Sequence, residues 1–131
     1  MVNNIYLERI CAEIGFGLVD KIVKEAQNKT NVAKELEKIV TKALGILIED
    51  GLFAYAIWLE SENKDPHKVI IESSLGLLKR LKLIKNYQNN LREAILNDIS
   101  PYIEKTLLAR QLLERMLVYA RYRAKALQKG D

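Results

Sequence analysis

The chain has 131 residues and a net charge of +4, with 49% hydrophobic and 29% charged residues. This length is enough for one hydrophobic core, and the apolar fraction excludes an intrinsically disordered chain, so we expect a single domain over residues 1–131. The single cysteine, Cys11, excludes an intramolecular disulfide. No apolar run reaches the ~20 residues that cross a bilayer, so we expect a cytoplasmic protein without a membrane span.

The first half of the sequence predicts three helices. Apolar residues recur at helical spacing over residues 4–29, where Gly15 and Gly17 favour a bend or a close approach to another backbone. A second amphipathic helix is predicted over residues 32–50. A third, at residues 52–59, is almost continuously apolar and is therefore expected at the centre of the core.

The second half predicts helices that begin near prolines. Asp65-Pro66 reads as an N-cap followed by proline at the first helical position, and Ser100-Pro101 repeats this signature before a long helix from Tyr102 to about Gln128. A short helix is predicted between them, over residues 91–99. The expected fold is all-α, a single bundle of five or six helices with a long C-terminal helix.

The charge is distributed unevenly along the chain. Residues 1–65 carry eight Lys or Arg against eleven Asp or Glu, a net charge of −3, whereas residues 66–131 carry thirteen against six, a net charge of +7. The basic second half predicts a polyanionic partner, with RNA or DNA backbone contacts. The residues expected to bind RNA form two clusters, Lys79, Arg80, Lys82 and Lys85 in the fourth helix and Arg110, Arg115, Arg121 and Lys125 in the last.

On a helical projection, the cations of the last helix share an arc with only one acid, Glu114, which predicts a nearly uncompensated basic ridge. The alternative interpretation is an ordinary solvated helix face. Tyr102, Tyr119 and Tyr122 offer rings for base stacking, although Tyr102 and Tyr119 are expected at the edge of the bundle.

The sequence holds no recognisable catalytic constellation. His67 is the only histidine, which excludes histidine-rich metal sites and His-Asp nucleophile systems, and it is expected in an exposed turn. Asp98 is expected to cap a helix. Gly15-Phe-Gly17 lacks the third glycine of a dinucleotide-binding loop. We therefore expect no enzymatic activity, catalytic residue, metal, cofactor or small-molecule substrate.

Residues 41–59 read TKALGILIEDGLFAYAIWL, and residues 109–120 read ARQLLERMLVYA. These two segments resemble the small helical subunit of the type III-B (Cmr) CRISPR effector complex. The first is similar to the family's Gly-Leu-Leu-Gln-x-Leu-Ala-Phe-Leu segment, with Ala54 where glutamine is usual. Residues 109–120 resemble the family's Ala-x-x-Leu-Leu-x-Trp-x-Arg-Arg-Phe-Ala segment. Arg115, Leu117 and Val118 depart from that pattern, and Arg121 and Arg123 follow one turn further on.

The resemblance implies a non-catalytic subunit of an antiviral ribonucleoprotein that stacks with copies of itself and with other CRISPR effector subunits. It also implies contacts to guide and target RNA that do not depend on base sequence. A competing hypothesis is a structural or adaptor bundle that binds a protein through Phe53, Tyr55 and Trp58, with no nucleic acid involved.

Overall fold

The computed structural model describes residues 4–86 and 90–129, with side chains from Tyr6 onward. In chain order the elements are α1 (Asn4–Lys24), α2 (Lys29–Asp50), α3 (Leu52–Glu62), α4 (Asp65–Arg80), α5 (Leu91–Ala94), a π-helical turn (Ile95–Ile99, the π-turn) and α6 (Ile103–Leu127). The described residues therefore form an all-α bundle with a long C-terminal helix, as the hydrophobic spacing predicts.

Helix α6 is the central helix of the bundle, and it packs chiefly against α1 and α2. The helical spacing predicts one core face with Leu113, Met116, Leu117, Ala120, Ala124 and Leu127, and all of these are buried except Leu127, which is partly buried. Residues at these spacings lie on one side of a helix, so burying them against two neighbours supplies most of the stability of the long helix.

Gly15 allows α1 and α6 to approach closely. A Cβ atom placed on Gly15 would collide with the carbonyl oxygen of Met116 and would lie 3.1 Å from the backbone nitrogen of Ala120. The predicted backbone contact is thus confirmed at Gly15. At Gly17 it is wrong, because a Cβ there would meet nothing within 4 Å.

Helix α3 is buried on one side only, which corrects the expectation that it lies at the centre of the core. Tyr55 is fully buried, and its hydroxyl lies 2.7 Å from Ser74 Oγ, which donates in turn to the carbonyl of Ile70 at 2.8 Å. Phe53 and Ile57, by contrast, are exposed. The hydroxyl chain satisfies the polar end of a large core side chain.

The start of α4 differs from the prediction. Lys64 is the N-cap, Asp65 is the first helical residue, and no side chain caps the helix. Asp65 therefore lies in the first turn of α4, where its carboxylate interacts favourably with the helix dipole.

His67 is only 3% exposed, so its expected place in an exposed turn is wrong. Its ring packs edge-on against Trp58 of α3, with 5.2 Å between ring centroids, because the first turn of α4 folds back onto α3. Among the described residues, none forms a hydrogen bond with His67 Nδ1.

Candidate nucleic-acid interface

Helix α4 ends in a Schellman motif that places a lysine where glycine is usual. The Leu83 N–H donates to Leu78 O at 2.9 Å and the Lys82 N–H donates to Lys79 O at 3.0 Å. Lys82 has a φ of 60°, in the left-handed region. A residue with a Cβ loses about 1 kcal/mol in this conformation, and the motif otherwise favours glycine. The chain therefore keeps a cation at this position at some loss of stability.

The π-turn fixes the segment that follows α4. The Ser100 N–H donates to Ile95 O at 2.7 Å, the wide spacing of a π-helix. Within this turn Asp98 is 7% exposed, and its Oδ2 accepts a hydrogen bond from the Lys85 N–H at 2.9 Å. The expected role of Asp98 as a helix cap is therefore wrong. Its carboxylate instead ties the chain after α4 to the π-turn.

A cleft of about 200 Å³ lies where these segments meet the start of α6. We call it the lysine cleft, and its walls are formed by Lys82, Leu83, Ile84, Lys85, Asn97, Asp98, Tyr102 and Lys105. Three ammonium groups against one carboxylate give the cleft a positive potential, which attracts anions.

Lys105 and Tyr102 form one wall of the lysine cleft. The Lys105 ammonium donates to Asp98 O at 3.3 Å and lies 4.9 Å from the centroid of the Tyr102 ring. The Tyr102 side chain is nevertheless 55% exposed. The cleft thus combines positive charge with an accessible aromatic ring, the pairing that single-stranded nucleic acid binds.

The structure places the first predicted cluster in two settings. Lys82 and Lys85 line the lysine cleft, whereas Lys79 and Arg80 lie in the last turn of α4. The Arg80 guanidinium is 3.6 Å from a carboxylate oxygen of Glu13 on α1.

Sequence reasoning did not select Lys105 or Asn97 as binding residues. Lys105 lies on α6 outside the basic arc, so a projection of that helix alone gives no reason to choose it. Only the approach of α4 and the π-turn brings it beside Lys82.

Two of the four cations in the second predicted cluster, Arg115 and Lys125, form ion pairs with acidic residues of other helices. The expectation of a nearly uncompensated ridge is therefore wrong, because α1 and α2 supply acids in addition to Glu114 of α6. We call this surface the paired face, and its interhelical pairs are Arg115–Glu8 at 3.7 Å, Arg123–Asp20 at 2.9 Å and Lys125–Glu37 at 3.8 Å.

The other two cations of that cluster differ from each other. The Arg110 Nε atom is 3.2 Å from Glu114, and its guanidinium also donates to Ile48 O, at 2.6 Å. Arg121 forms no ion pair within the described part of the chain, and Tyr122 beside it is exposed. Tyr119 instead donates its hydroxyl to Glu8 at 2.9 Å. Arg121 is thus the member of the predicted ridge that keeps an uncompensated charge among the residues described.

The described residues contain no group of three or more His, Cys, Asp or Glu side chains that could hold a metal ion. Cys11 is buried, and its thiol lies 3.5 Å from Leu112 O. Burial raises the pKa of this thiol to about 11, so it is a poor nucleophile at neutral pH.

Two apolar side chains project from the first turns of α6. Ile103 is 76% exposed and Leu107, one turn along the same side, is 63% exposed. They differ from the apolar residues of the adaptor hypothesis, of which Tyr55 is fully buried and cannot contact a partner.

Among the helices that the structure describes, none combines the length and apolarity needed to span a bilayer. Neither a protein-family model nor a curated protein nor a solved structure matches this chain.

Proposed function

We propose that this protein is a non-catalytic small subunit of a type III-B (Cmr) CRISPR ribonucleoprotein, with sequence-independent contacts to the RNA backbone. The observation that carries the RNA-binding part is the lysine cleft, where Lys82, Lys85 and Lys105 from two chain segments surround one small cavity. Lysine is a flexible point charge that suits phosphate, and the cleft has no base-reading module, so such contacts position RNA without reading its sequence.

Charge compensation favours the lysine cleft over the paired face as the main contact. No carboxylate forms an ion pair with Lys82 or Lys105 in the parts of the chain described, residues 4–86 and 90–129. On the paired face, a phosphate must compete with Glu8 for Arg115 and with Glu37 for Lys125. The net gain from each phosphate contact is therefore larger in the cleft.

The test compares two double variants that each remove two positive charges. Binding of an unstructured RNA is measured at low salt for Lys82→Gln/Lys105→Gln and for the matched control Arg115→Gln/Lys125→Gln. We expect the cleft variant to lose affinity about tenfold and the control to change about twofold or less, since its cations are already paired. Equal losses in both variants, or no binding by the unaltered protein, would contradict the proposal.

The assembly part of the proposal needs a separate measurement. Residues 41–59 and 109–120 carry the resemblance to the Cmr small subunit, and the long helix α6 fits the order of elements in that family. The protein should enter a complex reconstituted from guide RNA and the other Cmr subunits, detected as a shift in sedimentation. Failure to enter under conditions where the other subunits assemble would exclude this role.

A second candidate function is protein binding without RNA, favoured by exposed Ile103 and Leu107. Contiguous exposed apolar surface marks contact sites in many proteins, and these two side chains are neighbours on one side of α6. An Ile103→Ser/Leu107→Ser variant distinguishes the candidates, because an adaptor would lose its partner while the RNA affinity of a ribonucleoprotein subunit would be unchanged. Full RNA affinity in this variant, lost in Lys82→Gln/Lys105→Gln, supports the first function.

A further inference from the structure

Tyr102 is the N-cap residue of α6, and its side chain takes no part in capping that helix. It also contributes little to the core, because 55% of its surface is exposed. The Lys105 ammonium lies over the ring, 4.9 Å from its centroid. This cation–π contact holds the ammonium next to the ring, so a ligand that reaches one of them lies close to the other.

The size of the lysine cleft limits what can enter it. Its volume, about 200 Å³, lies below the usual range for whole drug-sized ligands and is far too small for a double helix. In a duplex, moreover, each base is already stacked on its neighbours. Only an unpaired nucleotide can present one phosphate to the lysines and the face of its own base to Tyr102.

We infer that the lysine cleft binds an unpaired nucleotide of single-stranded RNA, with its phosphate among Lys82, Lys85 and Lys105 and its base stacked on Tyr102. This inference rests on the proposed RNA-binding function and specifies the form of RNA that the site takes. Stacking tolerates every base, so the site prefers single strands over duplexes without preferring a sequence.

The strained backbone at Lys82 supports the same assignment. Lys82 adopts a φ of 60° at a position where glycine removes the strain. Strain retained at one residue commonly marks a functional site, and here it directs a lysine to the cleft that Tyr102 borders. Two independent features, an exposed aromatic ring and a strained cation, thus meet at one cavity.

The test replaces Tyr102 and compares single-stranded RNA with a blunt RNA duplex of the same length. Tyr102→Leu should weaken single-strand binding about tenfold and leave duplex binding within about twofold, since stacking on one base is lost. Tyr102→Phe keeps the ring and should bind as the unaltered protein does. The matched control is Tyr122→Leu, which removes a tyrosine of α6 that is 58% exposed and is not among the residues that form the cleft.

A second readout separates stacking from charge. RNA carrying 2-aminopurine changes its fluorescence when that base stacks, and we expect the change with the unaltered protein and with Tyr102→Phe but not with Tyr102→Leu. Circular dichroism of each variant checks that the fold is kept. If Tyr102→Leu binds single strands with full affinity while Lys82→Gln/Lys105→Gln does not, the inference is wrong and the proposed function stands. If the unaltered protein binds no RNA, both are wrong.

Discussion

The lysine cleft and the paired face share helix α6 and are both rich in cations, yet they differ in what surrounds those cations. On the paired face, carboxylates from α1 and α2 lie within 4 Å of Arg115, Arg123 and Lys125. In the cleft, the carboxylate present is that of Asp98, which accepts a hydrogen bond from the Lys85 backbone. The comparison teaches that a surface potential depends on which helices pack together and not on the number of cations in one helix.

The pairs on the paired face are individually weak. The Arg115 and Lys125 side chains are at least half exposed, and exposed ion pairs stabilise proteins by about 0.2–1 kcal/mol each. Their main effect is therefore on the potential that an approaching polyanion meets. Their contribution to holding α1, α2 and α6 together is smaller than that of the apolar contacts between those helices.

The largest expected effect comes from Gly15, where the close contact between α1 and α6 aligns the paired face. Gly15→Ala forces a Cβ atom against the Met116 carbonyl and should lower the free energy of unfolding by about 3 kcal/mol. The penalty is large because the contacted atom belongs to the backbone of α6, which cannot rotate away as a flexible side chain can. Gly17→Ala is the matched control, and with open space around it the protein should gain about 0.5–1 kcal/mol. Denaturant unfolding measures both. Equal stability of the two variants would contradict the close approach of α1 and α6.

A smaller effect is expected at Lys82, the residue of the lysine cleft whose backbone is strained. Lys82→Gly relieves the left-handed backbone and should stabilise the fold by about 1 kcal/mol, while the lost charge weakens RNA binding. Lys82→Ala is the control, because it removes the charge and keeps the strain. It should weaken RNA binding equally without stabilising the protein. If Lys82→Gly binds RNA with unchanged affinity, this lysine does not contact RNA.

A few-fold effect is expected from removing the acids that compensate the paired face. Glu8→Gln/Glu37→Gln frees Arg115 and Lys125 for phosphate, so RNA affinity at low salt should rise about threefold. The free energy of unfolding should change by less than about 1 kcal/mol, because the pairs are exposed. Titrations at low and high salt check the electrostatic origin of the gain. Unchanged affinity would mean that RNA never reaches this face, which sharpens the contrast with the cleft.

The last prediction concerns the pH dependence of stability, because the lysine cleft and the paired face can be compared only where the protein is folded. Burial lowers the pKa of His67 from its usual value of 6.5, with Glu62 opposing this shift and Lys64 adding to it. Below pH 6.5 the unfolded chain binds a proton that the folded chain does not, so stability is complete above pH 6.5 and falls as the pH drops toward the lowered pKa. Urea unfolding across this range should show the loss, and His67→Phe should flatten it. An identical profile in both proteins would exclude a contribution from His67.

Local pattern was sufficient for much of the fold. The spacing of apolar residues in α6 predicts the buried face that the structure contains, from Leu113 to Ala124. Turn residues and prolines locate the ends of the helices to within a few residues. These features follow from short-range geometry, since a helix repeats every ~3.6 residues whatever packs against it.

The candidate site was only partly predictable from the sequence, because it depends on contacts between residues that are far apart in the chain. Lys82 and Lys85 follow from composition, but Lys105 joins them through a fold that brings α6 against the end of α4. The burial of His67 against Trp58 likewise depends on how α4 folds back onto α3.

The sequence by itself determined the helices, their apolar faces and the excess of positive charge in the second half of the chain. The tertiary structure alone decided where that charge remains uncompensated. Charges interact through space over distances of several ångströms, so partners far apart in sequence, such as Arg115 and Glu8, neutralise each other only once the helices have packed.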